Sequence, residues 1–146
     1  MKLVVDASVA VKWFIPDASR EPDTDRAAML PRSVKDGSVE LLEPPHWMAE
    51  VAAVLTRLRP AIAGEAIDLM DAMELETAAH AGLHKCASRL AERLDQHLFD
   101  TLYHALAHES EAVLVTADNR YLRKARRVGR IAALDEWTPA DAAPAS

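Results

Sequence analysis

Two acidic residues follow apolar runs that have the length and composition of buried strands. Asp6 comes directly after the run 3–5, and Asp118 lies two residues beyond the run 112–116. Ligands of open α/β sheets bind at the carboxyl ends of the strands, so both side chains are candidates for a site at that edge. Each acid taken alone also has an ordinary interpretation as a turn residue or a helix N-cap.

Two further acids lie on segments that we expect to form buried helices. Glu50 comes three residues after Trp47 and four before Val54, which places it on the apolar face of a predicted helix. Asp100 falls in the first turn of the segment 98–107, which is apolar nearly all round. Burying an unpaired charge costs several kcal/mol, so each carboxylate is expected to have a cation or a metal ion as its partner.

The chemistry available to such a set of acids is metal-assisted hydrolysis. If Asp6, Glu50, Asp100 and Asp118 converge, their like charges require protonation or a neutralising cation. Oxygen ligands without nearby cysteine favour Mg²⁺ or Mn²⁺ over Zn²⁺. Ions of this kind lower the pKa of a bound water and stabilise charge in displacement at phosphorus, which makes phosphodiester hydrolysis the natural reaction.

Two histidine pairs offer a competing metal site. His80 and His84, and likewise His104 and His108, have the i, i+4 spacing that can chelate zinc on one helix face. Neither pair has the glutamate directly after its first histidine that a zinc protease helix carries. We therefore prefer solvated or core-edge positions for these histidines. The chain also contains no glycine-rich phosphate loop and no nucleophile elbow.

The elements that must position these residues alternate between strands and helices. The predicted strands are 3–5, 39–42, 112–116 and 131–134. The predicted helices are a first one from about residue 9 that Pro16 ends, then 24–36 with an interruption at Pro31, 46–59, 64–75, 83–94 and 98–107, and a basic helix after Asn119. The unbroken apolar run 112–116 is typical of a central strand in a parallel sheet covered on both faces. We predict one α/β domain over residues 1–137 and a frayed tail over 138–146.

Composition narrows the class of protein and its partners. The chain has 146 residues and a net charge of −6, and its only cysteine, Cys86, excludes an internal disulfide. No apolar run approaches the roughly 20 residues of a membrane span, so we expect a cytoplasmic protein without membrane contact. Six basic residues and no acid lie between positions 120 and 130. Arg120, Arg123 and Arg127 are therefore candidates for contact with RNA phosphates, although a solvated helix face explains the pattern equally well.

Four stretches resemble a known family. They are "VVDASVAVKWF" with Asp6, "PPHWMAEVAAVL" with Glu50, "LFDTLYHALA" with Asp100 and "AVLVTADNRYL" with Asp118. In this order and spacing they look like the four acidic motifs of PIN-domain ribonucleases, and they are most similar to the VapC toxins of bacterial toxin-antitoxin pairs. The resemblance covers residues from about 3 to 137.

The resemblance implies a fold, an activity and partners. The fold is a PIN-like three-layer α/β/α sandwich with a central parallel sheet, and the activity is a Mg²⁺- or Mn²⁺-dependent endoribonuclease acting on structured RNA such as tRNA or rRNA. The implied catalytic and metal-binding residues are Asp6, Glu50, Asp100 and Asp118, with supporting hydroxyls from Ser8 and Thr116. The resemblance also implies a homodimer and a cognate VapB-like antitoxin.

One departure and several alternatives stay open. Many relatives carry a further acid near the fourth motif, where this chain has Asn119, so the sequence leaves open whether one or two ions bind. An RNA-processing nuclease without an antitoxin and a noncatalytic RNA-binding module are the alternative functions. A receiver domain would need an acidic pair after the first strand, and a haloacid-dehalogenase phosphatase would need Asp-x-Asp where this chain has Asp6-Ala7-Ser8.

Overall fold

A parallel sheet of five short strands forms the centre of the chain. A computed structural model describes residues 1–15 and 23–138. In chain order the strands are β1 (Lys2–Val5), β2 (Glu40–Glu43), β3 (Glu76–Thr77), β4 (Val113–Thr116) and β5 (Ile131–Ala133). Their order across the sheet is β3-β2-β1-β4-β5, and every neighbouring pair is parallel.

Helices connect the strands, as parallel pairing requires. In the described residues they are α1 (Ala7–Phe14), α2 (Thr24–Lys35), α3 (Trp47–Leu58), α4 (Pro60–Ala72), α5 (Ala81–Leu94), α6 (Leu98–Glu109) and α7 (Asn119–Ala125), and α7 continues into a 3₁₀ turn over Arg126–Val128. None of these helices combines the length and apolar content that a membrane crossing needs.

The two faces of the sheet bury different sets of apolar residues. Val4 packs with Val51 of α3 and Leu106 of α6 on one face. Its neighbour Leu3 points the other way and packs with Leu30 of α2. Because successive strand residues alternate between faces, apolar residues throughout β1 serve both cores. The result is the predicted three-layer α/β/α sandwich with a central parallel sheet.

The chain reverses its direction of travel across the sheet between β1 and β4. It runs outward from β1 through β2 to β3 and then returns to place β4 on the other side of β1. Val5 is in register with Val115, and the backbone N–H of Asp6 donates to the Val115 carbonyl at 3.4 Å. The carboxyl ends of β1 and β4 therefore lie side by side, which is where ligands bind in such sheets.

Apart from shifts of one or two residues at the ends of elements, the structure departs from the sequence prediction at three places. Strand β3 was not predicted, because its two residues are exposed and have no apolar pattern. Helix α4 begins at Pro60 rather than near residue 64, since proline is favoured in the first helical turn. Helix α2 continues through Pro31, which lacks only the one N–H that a helix bond would use. The predicted stop at Pro16 lies outside the described residues, and so does all but the first residue of the predicted tail 138–146.

Candidate active site

The four predicted acids line one cavity at the carboxyl ends of β1 and β4. The cavity has a volume of about 360 Å³. Its walls consist of Asp6, Ala7, Ser8, Val11, Lys12, Glu50, Val54, Asp100, Tyr103, Ala117 and Asp118. Acids that are up to 112 residues apart in the sequence thus face the same space.

Asp6 is the most firmly held of the acids. The Ser8 hydroxyl donates to Asp6 Oδ1, to which the Ser8 backbone N–H also donates at 3.1 Å, and the Thr116 hydroxyl donates to Oδ2. The same two hydroxyls accept backbone N–H groups beyond β4, Ser8 from Ala117 at 3.1 Å and Thr116 from Asp118 at 3.0 Å. Ser8 and Thr116 therefore join the start of α1 to the β4–α7 connection around one carboxylate.

The surroundings of Asp6 disfavour the charged form of its carboxyl group. The pKa of Asp6 is raised to about 6 from its ordinary 3.8, chiefly by burial and to a smaller extent by the charges of Asp118 and Asp100. The hydrogen bonds from Ser8 and Thr116 act in the opposite direction. A cation in the cavity would favour the charged form of Asp6.

Replacing Thr116 with valine is expected to raise the Asp6 pKa and to lower the free energy of unfolding by about 1–3 kcal/mol. Valine keeps the shape of the side chain but removes a donor to Asp6 and the acceptor of the Asp118 N–H. Carboxyl titration by NMR measures the pKa, and urea denaturation measures the stability. Thr77→Val, at an exposed position of β3, is the control and should change neither. An unaltered Asp6 titration in Thr116→Val would contradict the hydrogen bond from the Thr116 hydroxyl to Asp6.

Glu50 is paired, although it is less buried than the helical pattern predicts. Its side chain is 34% exposed, and its Oε1 accepts from His46 Nε2 at 2.7 Å and from the Tyr103 hydroxyl at 3.2 Å. The expectation that Glu50 is buried is therefore wrong, and a metal ion as a further partner of its carboxylate stays a prediction. His46 and Tyr103 hold its carboxylate at the edge of the cavity.

Asp100 and Asp118 are also half-buried and are held by neighbours on their own segments. Asp100 Oδ2 accepts from Gln96 Nε2 at 2.8 Å. Asp118 is the N-cap of α7, and its Oδ1 accepts from the backbone N–H groups of Arg120 and Tyr121, both at 3.1 Å. The ordinary N-cap interpretation thus holds for Asp118 together with its place in the cavity wall. Asp6 caps α1 in the same way.

Two charged residues near the cavity were not singled out from the sequence. Lys12 lies on α1, is only 6% exposed and lines the cavity. Glu43 ends β2, is wholly buried, and accepts the Val5 N–H on Oε1 at 2.8 Å. Burial raises the pKa of Glu43 well above its usual range. The sequence signal for Glu43 was available, because an acid directly after an apolar strand is the pattern that singled out Asp6.

The donor set suits a hard divalent ion, and Asp6, Glu50, Asp100 and Asp118 would hold it. They offer only oxygen ligands in one cavity, which is the chemistry of a Mg²⁺ or Mn²⁺ site. Within residues 1–15 and 23–138, however, no three side chains of His, Cys, Asp or Glu are close enough to hold a metal ion together. Carboxylates of like charge repel one another, and each of these four is oriented by hydrogen bonds from its own neighbours. The metal-ligand assignment stays a prediction.

The histidine pairs form protein contacts. His104 is buried, its Nε2 donates to the Gly129 carbonyl at 2.6 Å, and its Nδ1 therefore accepts from the Tyr121 hydroxyl at 2.9 Å. Burial lowers the pKa of His104. His80 precedes α5, where its Nε2 lies 2.6 Å from Glu109 Oε1 and its Nδ1 accepts the Leu83 N–H. Both ring nitrogens of His104 and of His80 are thus engaged, so one member of each pair is taken up by protein contacts, which argues against a zinc site at either pair.

A second cavity, called the basic cavity below after the Arg120 and Lys124 in its wall, adjoins the acidic one, and Asp95 and Asp118 also line it. It has a volume of about 420 Å³, shares Asp118 with the acidic cavity, and includes Arg120 and Lys124 in its wall. Lys124 Nζ donates to the Asp95 carbonyl at 2.8 Å and to Gln96 Oε1 at 3.2 Å, which brings its charge close to the partner of Asp100. Lys124 belongs to the predicted basic segment 120–130 and lies one helical turn after Arg120, although it was not among the three candidates named there.

The other two predicted RNA-binding residues lie further along the same segment. Arg123 is exposed on α7, and Arg127 is exposed in the 3₁₀ turn. Neither lines the acidic or the basic cavity. Their neighbour Arg126 is paired with Glu136, with Nη2 and Oε1 3.0 Å apart. Of the three predicted arginines, the structure brings only Arg120 to the site.

Comparison with known proteins agrees with this geometry. A sequence profile of the PIN domain matches residues 3–127, a range that contains all four acids. No curated protein sequence matches the chain. PIN domains are generally metal-dependent nucleases, and they usually use divalent ions such as Mg²⁺.

Proposed function

The chain belongs to the PIN domain family, and from this premise we propose that it is a Mg²⁺- or Mn²⁺-dependent endoribonuclease acting on structured RNA such as tRNA or rRNA. The observation that carries the proposal is the single cavity lined by Asp6, Glu50, Asp100 and Asp118. A noncatalytic binding module has no need of four acids in one cavity, where their mutual repulsion is a cost.

The residues around the cavity have separate tasks in this hydrolysis. A divalent ion bound by the four acids would supply activation of water and neutralisation of charge at phosphorus. Ser8 and Thr116 orient the two oxygens of Asp6, and His46 and Tyr103 orient Glu50. Supporting hydrogen bonds of this kind fix the direction of the ligand atoms.

RNA is the proposed substrate because positive charge lies beside the acids. The chain as a whole is acidic, with a net charge of −6, which disfavours nonspecific binding of nucleic acid over its whole surface. Arg120 and Lys124 supply cations in a cavity that shares Asp118 with the acidic one. A backbone that enters through the basic cavity would bring a neighbouring phosphate to the acids. Arg123 and Arg127 are proposed as outer phosphate contacts.

The double variant Arg120→Ala/Lys124→Ala is expected to bind RNA more weakly and with a flatter salt dependence. Each lost phosphate contact on a single strand lowers the slope of log K against log salt by about 0.7, so the pair should lower it by about 1.4. Fluorescence anisotropy of a labelled RNA at several salt concentrations measures the slope. The control Arg32→Ala/Lys35→Ala removes the same charges from exposed positions of α2. Equal slopes in the two double variants would show that Arg120 and Lys124 do not contact RNA phosphates.

Product mapping tests the proposed substrate class. The wild-type chain is incubated in Mn²⁺ with tRNA, with rRNA fragments and with single-stranded DNA of the same sequences. We expect defined internal cuts in RNA and at least about tenfold slower cleavage of DNA. Equal cleavage of both would show a nuclease without RNA preference, and end-labelled products one nucleotide long would indicate an exonuclease.

We further propose that the protein is the toxin of a type II toxin-antitoxin pair in the cytoplasm. The support is the resemblance of its four motifs to VapC toxins, which implies a homodimer and a cognate VapB-like antitoxin. Leu58 on α3 and Leu69 on α4 are 44% and 54% exposed, which leaves apolar surface for protein contacts. Growth arrest on expression, relieved by co-expression of the antitoxin, is the expected behaviour. Unimpaired growth with an active enzyme would favour an RNA-processing nuclease.

A further inference from the structure

Phe99 is a large, exposed aromatic residue that precedes one of the acids of the cavity in the sequence. Its side chain is 59% exposed, although it lies in the first turn of α6 directly before Asp100. Residues four apart share a helix face, so Phe99 lies one turn before Tyr103, which lines the cavity. Phe99 does not itself line the acidic or the basic cavity, but Asp100, which follows it, and Tyr103, one turn further on, both line the acidic one.

The position of Phe99 is fixed through His46. The His46 ring lies 5.4 Å from the Phe99 ring and 4.7 Å from the Tyr103 ring, measured between centroids. His46 Nε2 is 2.8 Å from the Phe99 carbonyl and 2.7 Å from Glu50 Oε1. Because both partners are acceptors, Nε2 carries the proton. One imidazole thus connects the backbone of Phe99 to the carboxylate of Glu50.

We propose that Phe99 is the surface on which a nucleobase next to the cleaved phosphate stacks. This inference rests on the proposed endoribonuclease function. Stacking on an exposed aromatic side chain requires an unpaired base, so the cut would lie in a loop, a bulge or a single-stranded end of a structured RNA. The residue directly before one predicted metal ligand would then select the conformation of the RNA.

The surroundings of Phe99 favour a nucleobase over a protein partner. The other exposed large apolar side chains in the described residues are Met1, Met29, Leu58 and Leu69, which belong to other elements. Phe99 instead adjoins Asp100, His46 and, through His46, Glu50. A single ring among polar and charged groups suits one flat base attached to a charged backbone, whereas protein interfaces use wider apolar patches.

The basic cavity supplies a second contact on the same substrate. Asp100 accepts from Gln96, and Gln96 Oε1 accepts from Lys124 in that cavity. Helix α6 and the residues just before it thus connect the base-stacking surface, the acids and the basic cavity. An RNA strand bound in all three would have phosphates at Arg120 and Lys124, its cleaved bond at the acids and an adjacent base on Phe99.

Substitution of Phe99 combined with abasic RNA tests this inference. The probe is a short, labelled, single-stranded oligoribonucleotide of mixed sequence, and a matched series removes one base at a time. In Mn²⁺, Phe99→Ala and Phe99→Leu are expected to raise KM about 5- to 150-fold with little change in kcat, whereas Phe99→Trp retains the wild-type KM. Wild type and Phe99→Ala should have equal KM on the oligomer that lacks the stacked base. Met29→Ala, at an exposed apolar position of α2 that lines neither cavity, is the control and should behave as wild type.

The outcomes separate this inference from the proposed function. Active Phe99→Ala with unchanged KM would overturn base stacking and leave the ribonuclease standing. A Phe99→Leu variant that retains wild-type KM would also overturn stacking, because leucine offers apolar contact without a ring. Loss of antitoxin binding in Phe99→Ala with unchanged KM would assign the residue to a protein interface. Wild-type protein that cuts no RNA in any divalent ion would refute the proposed function itself.

Discussion

Replacing Asp6 with asparagine is expected to lower the rate of metal-dependent RNA cleavage by at least about 100-fold, which is about 2.7 kcal/mol of transition-state stabilisation. Asp6 lines the cavity with the other acids, and both of its oxygens are oriented by hydroxyl groups. Asparagine has nearly the same shape but lacks the negative charge that a divalent ion requires. An amide oxygen still accepts the Ser8 N–H, so the N-cap of α1 is retained.

The Asp6→Asn result is interpretable only if the fold is intact. Circular dichroism and thermal unfolding should therefore match the wild type closely, and Asp118→Asn should behave in the same way. Asp68→Asn neutralises an exposed acid on α4 and serves as the matched control, with unchanged cleavage. A folded Asp6→Asn protein with wild-type activity would show that the Asp6 carboxylate is not required for RNA cleavage.

The second large expected effect is on stability. His104→Leu is expected to lower the free energy of unfolding at pH 7.5 by about 2–4 kcal/mol. His104 is wholly buried and joins α6 to Tyr121 of α7 and to Gly129 beyond the 3₁₀ turn. Leucine fills the space but leaves the Tyr121 hydroxyl and the Gly129 carbonyl without their partner. Urea denaturation measures the loss, and His84→Leu at an exposed position is the control.

The His104 effect depends on pH with a defined sign. Burial lowers the pKa of His104 below its ordinary 6.5, and the nearby His108 ring lowers this pKa as well. The unfolded chain then binds the proton more tightly, so the stabilisation by His104 is complete above pH 6.5 and is lost as pH falls below it. The stability difference between wild type and His104→Leu should therefore shrink from pH 7.5 to pH 5.5. A constant difference would show that His104 is not held neutral.

Comparing the wild type with His104→Leu also separates this effect from that of Asp6. The pKa of Asp6 is raised to about 6, so Asp6 contributes stability at low pH that is lost as pH rises through 6. The Asp6 contribution to stability changes with pH in the direction opposite to that of His104, and it is the same in the wild type and in His104→Leu. It cancels in the difference between them.

The sequence was sufficient to locate the four acids on their elements. Strand β1 was predicted to begin one residue later than it does, and strand β4 one residue earlier, so Asp6 and Asp118 were placed correctly after strands. The apolar run of β4 and the helix pattern after it also identified a parallel sheet. These features are local, because side-chain periodicity follows directly from backbone geometry.

Burial depth and long-range pairing could not be read from the same patterns. Helical periodicity gives the direction of a side chain but not its depth. Glu50 is 34% exposed, and the apolar Leu58 on the same predicted helix is 44% exposed. The contact of His46 with Phe99 spans 53 residues. His46 was interpreted only as the start of a helix, because no local signal links it to α6.

The most direct test of the proposed endoribonuclease function is the metal dependence of RNA cleavage by the wild-type chain. An end-labelled structured RNA is incubated with the protein in Mn²⁺, then with EDTA, and then with Mn²⁺ restored in excess. The proposed function predicts internal cuts that stop on chelation and resume when the ion returns. Asp6→Asn should make none. Cleavage that continues in EDTA at the same rate, or equal cleavage by Asp6→Asn, would contradict it.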